Sequence, residues 1–191
     1  MTPIRVRHAL KEWACVVEAL REGRQTLLLR KGGIDEPHGE FKAAHPEFLL
    51  APAWEHQKSE LLKPAEAVRY GQCLRPPSTP LSISFDTFAR LESVVVLDDP
   101  RRAFRLAEEH IWTEEYVRMR VDYKPEKPLF VLLLRVFALE RPVKMPWTER
   151  YAGCRSWVEL EEVAEALPSW PALDDAAHAM ALQRARSVLE G

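Results

Sequence analysis

The stretch Leu129-Phe-Val-Leu-Leu-Leu-Arg-Val-Phe-Ala-Leu139 decides how the rest of this chain is read. Apart from Arg135 it is continuously apolar, too apolar for a strand with one wet face, so it predicts a central strand buried on both faces. A central strand needs neighbours, and short apolar runs closed by turn residues supply them. Gln25 to Arg30 runs up to Gly32 and Gly33, and Glu47 to Ala51 runs up to Pro52. Leu81 to Phe88 and Leu91 to Leu97 read as one long bent strand or two. Ser156 to Leu160 reads as a strand or the start of a helix.

Helical signals lie between these runs. From Ala9, residues Leu10, Trp13, Val16, Val17 and Leu20 keep helical spacing up to Gly23, although the same Val-rich run also fits a first hairpin strand. Gln57 to Tyr70 predicts a short surface helix broken near Pro64. Asp99 caps a helix with Pro100 in its first turn, running to about His110, and Thr113-Glu-Glu115 opens another. Ala177, Met180, Ala181, Ala185 and Val188 form the stripe of a terminal helix from about Asp174. Some five or six strands broken by short helices define an α+β class, with a small bent or barrel-like mixed sheet. At 191 residues the expectation is a single domain over 1–191.

The composition, 47% hydrophobic and 29% charged, excludes a disordered or fibrous chain. With 15 Pro against 7 Gly, the connections should be stiff and irregular. A net charge of -2 excludes a chain-wide attraction to polyanions, but the charge is unevenly placed. Bases dominate up to Lys31, and from Glu159 to Asp175 every charged residue is acidic. Cys15, Cys73 and Cys154 are too scattered for a disulfide framework and fit a reducing, cytoplasmic home. No run approaches the roughly 20 apolar residues of a membrane span. The six His show no metal-ligand spacing, and no cofactor motif is present.

Three clusters border the strands and carry the candidate chemistry. Arg30 and Lys31 beside Gly32, Gly33 and Ile34 suit phosphate or carboxylate, since a Gly pair lets backbone approach a ligand. Trp54, Glu55, His56 and Gln57 follow a buried strand; Glu55 and His56 are an acid/base candidate and Trp54 a stacking one. Tyr151, Cys154, Arg155, Ser156 and Trp157 form the third, with His110 and Trp112 as an accessory pair.

Through LLLRKGGI (27–34), EFLLAPAWEHQ (47–57), HIWTEEYVRMRVDYKPEKPLFVLLLRVFAL (110–139) and YAGCRSWVEL (151–160), the chain resembles a bacterial family known as domain of unknown function 1802. That family implies no established activity. The run from Glu18 to Arg30 is similar to ASCH domains, although Leu28 or Leu29 stands where that pattern has its acidic residue. This second resemblance implies a PUA-like barrel that binds RNA or modified nucleotides.

The leading functional expectation is a module that binds RNA, DNA or a nucleotide, with Arg30, Lys31 and Arg118 or Arg120 meeting phosphate and Trp54, His56 and Trp112 meeting a base. One alternative is a small hydrolase or nuclease using Glu55 and His56, with Lys31 as electrophilic partner. The other is an accessory subunit that binds a protein partner through its acidic stretch.

Overall fold

The computed structural model of the chain describes residues 3–31, 45–75, 81–153 and 156–190. The apolar run at 129–139 is the heart of a longer strand, β5 (Leu129–Pro146). One side of it pairs antiparallel with β4 (Ser82–Leu97) along its whole length, from Leu97 opposite Leu129 to Ser82 opposite Pro146. On the other side, β2 (Leu27–Arg30) pairs with residues 130–133, and β7 (Pro168–Pro171) pairs with residues 137–139. Burial on both sides of the ladder is why this strand has no polar alternation until it leaves the core beyond Leu139.

The seven-stranded sheet runs in the order β2-β5-β4-β3-β1-β6, with β7 also on β5. Here β1 is Ile4–Trp13, β3 is Glu47–Ala53 and β6 is Trp157–Ala166. β1 and β3 are parallel, while the other ladders are antiparallel. Residues Ala9 to Trp13 are therefore strand, and the helix expected there, α1, spans only Ala14–Arg21. Their helical spacing misleads because Ala9 and Leu10 are apolar toward opposite faces of a sheet covered on both sides.

The sheet curls strongly. Ala166, at the end of β6, lies opposite Ile4 on one edge, yet after a single residue Pro168 lies opposite Leu139 on the other edge. Glu140 N donates to Leu167 O at 3.0 Å and ties the two edges together. Among the described residues no ladder joins β6 to β5, so the barrel stays open. The β4–β5 ladder shifts register twice, by extra residues of β5 between Phe85 and Thr87 and by an extra residue of β4 between Leu91 and Ser93. The curl makes two cores, and β3 alternates between them. Leu49 and Ala51 face inward with Val6, Ala9, Phe85, Phe88 and Leu160. Phe48 and Leu50 face outward, onto α1, β2 and the C-terminal helix.

Pro64 opens α2 (Pro64–Arg69) rather than breaking a longer helix. Asp99 does cap, accepting from Arg101 N at 3.1 Å, but the segment 100–109 winds as a 3-10 helix. Thr113 Oγ1 accepts from Tyr116 N at 3.4 Å and starts α3 (Glu114–Asp122). Arg135, the one charge in the central run, reaches the start of α4 (Asp175–Glu190), donating to Asp175 Oδ1 at 2.6 Å and Asp174 O at 3.4 Å. None of the described helices is long and apolar enough to cross a membrane.

Candidate functional site

Parallel pairing of β1 with β3 brings their C-terminal ends to the same side of the sheet, with Trp13 opposite Ala53. Beyond this point the ladder stops and the chain must find other partners for its backbone, which makes the end of a parallel pair a place where side chains and loops converge. Lys11 and Glu12 stand here on opposite faces, both nearly buried at 7% and 6% exposure.

Lys11 Nζ donates to Gly153 O at 2.6 Å and lies 3.5 Å from Glu55 Oε1; its backbone N donates to Ser156 O at 2.8 Å. On the other face, Glu12 accepts from Trp13 N at 2.9 Å and from the Arg30 guanidinium at 2.8 Å. The same guanidinium donates to Lys11 O at 2.6 Å, while Arg30 Nε is buried with no partner among the described residues. Next along β2's exit, Lys31 Nζ donates to Val121 O at the end of α3. Arg120 beside it donates to the Tyr116 hydroxyl at 3.0 Å and lies over that ring, 5.1 Å from its centre.

Tyr116 shows that Glu12, Arg30 and Arg120 share one electrostatic neighbourhood. Burial pushes its phenol up to about 12; Arg120 and Arg30 oppose the rise and Glu12 adds to it. Among the described residues the end of the sheet thus gathers four cations, Lys11, Arg30, Lys31 and Arg120, and two carboxylates, Glu12 and Glu55. Among these residues cations outnumber carboxylates, an arrangement that suits an anion.

Residues 9–184 match the family described as Domain of unknown function (DUF1802). The chain belongs to this family. Solved structures similar in shape include ASCH from Zymomonas mobilis, at 15% identity and a TM-score of 0.44 over 94% of this chain and 93% of that one. A tyrosine-to-phenylalanine mutant of the same protein is 16% identical with a TM-score of 0.47, over 81% and 90% of the two chains. A serine-to-alanine mutant is likewise 16% identical, at a TM-score of 0.46 over 84% and 92%. Among curated proteins none matches.

In this DUF1802 chain the candidates read from the sequence fall into separate groups. Arg30, Lys31 and Arg120 converge on the basic end just described. Glu55 joins them through Lys11, so Glu55 and Lys31 are held by different partners. Trp54 Nε1 and Gln57 Nε2 both donate to Cys73 O, at 3.1 and 3.0 Å, and Gln57 Oε1 accepts from Cys15 N at 3.0 Å. These bonds strap the 54–57 loop to the start of α1 and to the turn after α2. His56 at the tip of that loop takes a left-handed backbone, φ 61°.

Trp112 is only 1% exposed and stacks on Tyr116 at 4.6 Å, so its ring braces the cluster from behind, with His110 beside it at 5.3 Å. Arg118 faces outward and pairs with Glu114 at 2.5 Å and Glu115 at 2.9 Å. Tyr151 belongs to the inner core, its hydroxyl donating to Met145 Sδ at 3.4 Å. Ser156 takes part through its carbonyl. Trp157 is half-buried and meets Phe48 edge-on at 5.0 Å. Gly32, Gly33, Ile34, Cys154 and Arg155 lie outside the described residues.

The two residues at the centre, Lys11 and Glu12, escape the sequence reading because the helical spacing of their neighbours puts them on the polar face of a helix. Their signal is a charged pair interrupting an apolar run just before the helix starts. The Cys15 thiol is pushed by burial to about 12 and Cys73 is raised as well, so neither presents a thiolate near neutral pH. Among the described residues no group of three His, Cys, Asp or Glu could hold a metal ion. A cleft of about 230 Å³ lies elsewhere, lined by Arg24, Gln25, Glu109 and Arg184, and none of the residues above lines it. In the acidic stretch, Glu159 pairs with Arg7 at 2.8 Å and Glu165 lies opposite Arg5, so part of its charge is balanced across the β1–β6 ladder.

Proposed function

We propose that this chain is a cytoplasmic module that binds nucleic acid or a nucleotide, taking phosphate at the basic end where β1, β2 and β3 finish. The observation that carries this reading is the excess of cations over carboxylates around Lys11 and Arg30 among the described residues. Lys11 is held nearly dry by Gly153 O and by Glu55, whose own side chain is 42% exposed. Glu55 is therefore the exchangeable counter-ion: an incoming phosphate takes its place on Lys11 and the carboxylate swings to water. Arg30, fixed by Glu12 and Lys11 O, supplies charge from a rigid position. Trp54 and Trp157, both only half-buried, and the exposed His56 are rings at this end with surface left for a base or sugar.

Fluorescence anisotropy with labelled single- and double-stranded RNA and DNA tests the proposal. Binding should weaken as salt rises, because each displaced phosphate counter-ion contributes to the slope. Lys11→Met should weaken binding by about tenfold, the loss expected of one charge-assisted contact. Glu55→Gln, which frees Lys11 of its counter-ion, should tighten it. The proposal is abandoned if no nucleic acid or nucleotide binds at low salt, or if Lys11→Met binds as well as the parent.

A further inference from the structure

Three residues before Lys11, His8 stacks face to face on His45, ring centres 3.4 Å apart and planes within 12°. His45 in turn meets the edge of Trp157 at 5.0 Å, and Trp157 rests on Phe48 at 5.0 Å. The residue before Trp157 is Ser156, whose carbonyl holds the Lys11 amide at 2.8 Å. A pair of titratable rings is thus wedged under the segment that closes over the basic end.

We propose that the stacked His8–His45 pair is an acid-sensitive latch: while both rings are neutral it holds Trp157 and Ser156 against β1, and its protonation lets that segment part from Lys11. The consequence for ligand affinity rests on the binding reading above; the latch itself does not.

The charged groups around the pair decide the sign. Glu159 on β6 lies opposite His8 and favours protonation of both rings, but its carboxylate is committed to the Arg7 guanidinium at 2.8 Å. Arg7 opposes protonation of His8, and Arg150 from the 149–151 turn donates to Glu159 O at 3.1 Å. Burial outweighs the rest and lowers His8; burial, then His8 itself, lowers His45. A lowered value in the folded state means that protons bind better to the opened state, so the stack holds above the ordinary value of 6.5 and is lost as pH falls below it. Two cationic rings at stacking distance also repel.

The direction is opposite to that of simple charge. New imidazolium groups beside an anion site would tighten binding in acid, whereas an opening latch loosens it.

Hydrogen exchange of the Lys11 amide in the intact chain reads the latch without any ligand. Its protection factor should fall between about pH 7.5 and about pH 5.5, since the opened pair takes up protons more readily than the stacked one. His45→Phe keeps a ring in the stack and removes one of the two proton sites, leaving His8 to titrate alone, so its Lys11 protection should fall by clearly less over that range. Should His45→Phe fold poorly, His8→Phe gives the same comparison from the other side. Equal loss of protection in parent and variant, or no loss in the parent, overturns the latch. In parallel, a fluorescein-labelled uridine oligomer of about ten nucleotides should bind the parent more weakly at the lower pH, and His45→Phe should lose less of its binding. Tighter parental binding in acid would also overturn the proposal. If the oligomer binds at neither pH, the binding reading fails alone and the Lys11 protection factor still decides the latch.

Discussion

His110 should make the stability of this protein fall steeply in mild acid. The residue is 4% exposed, and among the described residues neither ring nitrogen makes a full hydrogen bond, the nearby backbone of His110 and Trp112 offsetting its burial only in part. Burial, with Lys63 nearby adding to it, pushes its pKa from 6.5 down to about 4. A depressed folded-state value means that the unfolded chain binds the proton first, so the neutral ring stabilises the fold above 6.5 and that stabilisation drains away as pH falls toward 4. At about 1.4 kcal/mol per pH unit, the loss across that window is about 3 kcal/mol, a large part of the stability of a domain this size. Many carboxylates also titrate there, so the assay is a subtraction. Urea unfolding free energies of the parent and of His110→Phe are measured near pH 7 and near pH 4. The Phe ring keeps the packing against Trp112 and removes both ring nitrogens, so near neutral pH the variant should match or exceed the parent by about 1 kcal/mol. The drop on acidification should be smaller in the variant by about 3 kcal/mol, because all shared groups cancel. An NMR titration of the His110 ring should show its midpoint near 4. Equal drops in the two proteins, or a midpoint at the ordinary value, would refute the reasoning.

Other substitutions test the framework around the site. Gly23→Ala should destabilise by about 1–3 kcal/mol in urea unfolding, because φ is +71° and an added Cβ would sit 2.7 Å from Ala172 O and from Leu173 Cδ2. Glu12→Gln leaves the nearly buried Arg30 guanidinium without its carboxylate and should cost about 3 kcal/mol, read as a lower Tm, while Glu55→Gln should cost little. Cys15 should resist alkylation by iodoacetamide near pH 8 until the protein is unfolded, since its thiol titrates only at about 12; labelling at the rate of a free thiol in the native state would contradict its placement.

Most of the sheet is legible because its strands are short apolar runs between Gly and Pro, and β5 announces itself by having no wet face. Pairing is not legible in this way. Nothing in one strand's residues says that β1 lies parallel to β3, and this pairing alone brings Lys11 to Glu55 across 44 positions of chain. β7 escapes notice for a related reason: with prolines at both ends it carries no strand pattern, and it is strand only because Leu139 and Ala138 offer it an edge. In the segment 9–13 the period fails, since a sheet with cores on both faces makes neighbouring residues apolar and imitates a helix.

The same double burial explains the chemistry at the end of the sheet. Where both faces are covered, a strand that stops cannot hand its last polar side chains to water, so Lys11 and Glu12 must find partners from opposite sides: Gly153 and Glu55 for one, Arg30 and the Trp13 amide for the other. Structural need accounts for one carboxylate per buried cation. It does not account for Arg120 and Lys31, which are brought to the same end and satisfied by a phenol and a carbonyl, partners that carry no charge. A cluster built only for folding would close its charge, as Arg135 does on Asp175. Among the described residues this excess charge is the part that folding does not require, and the anionic ligand proposed above would balance it.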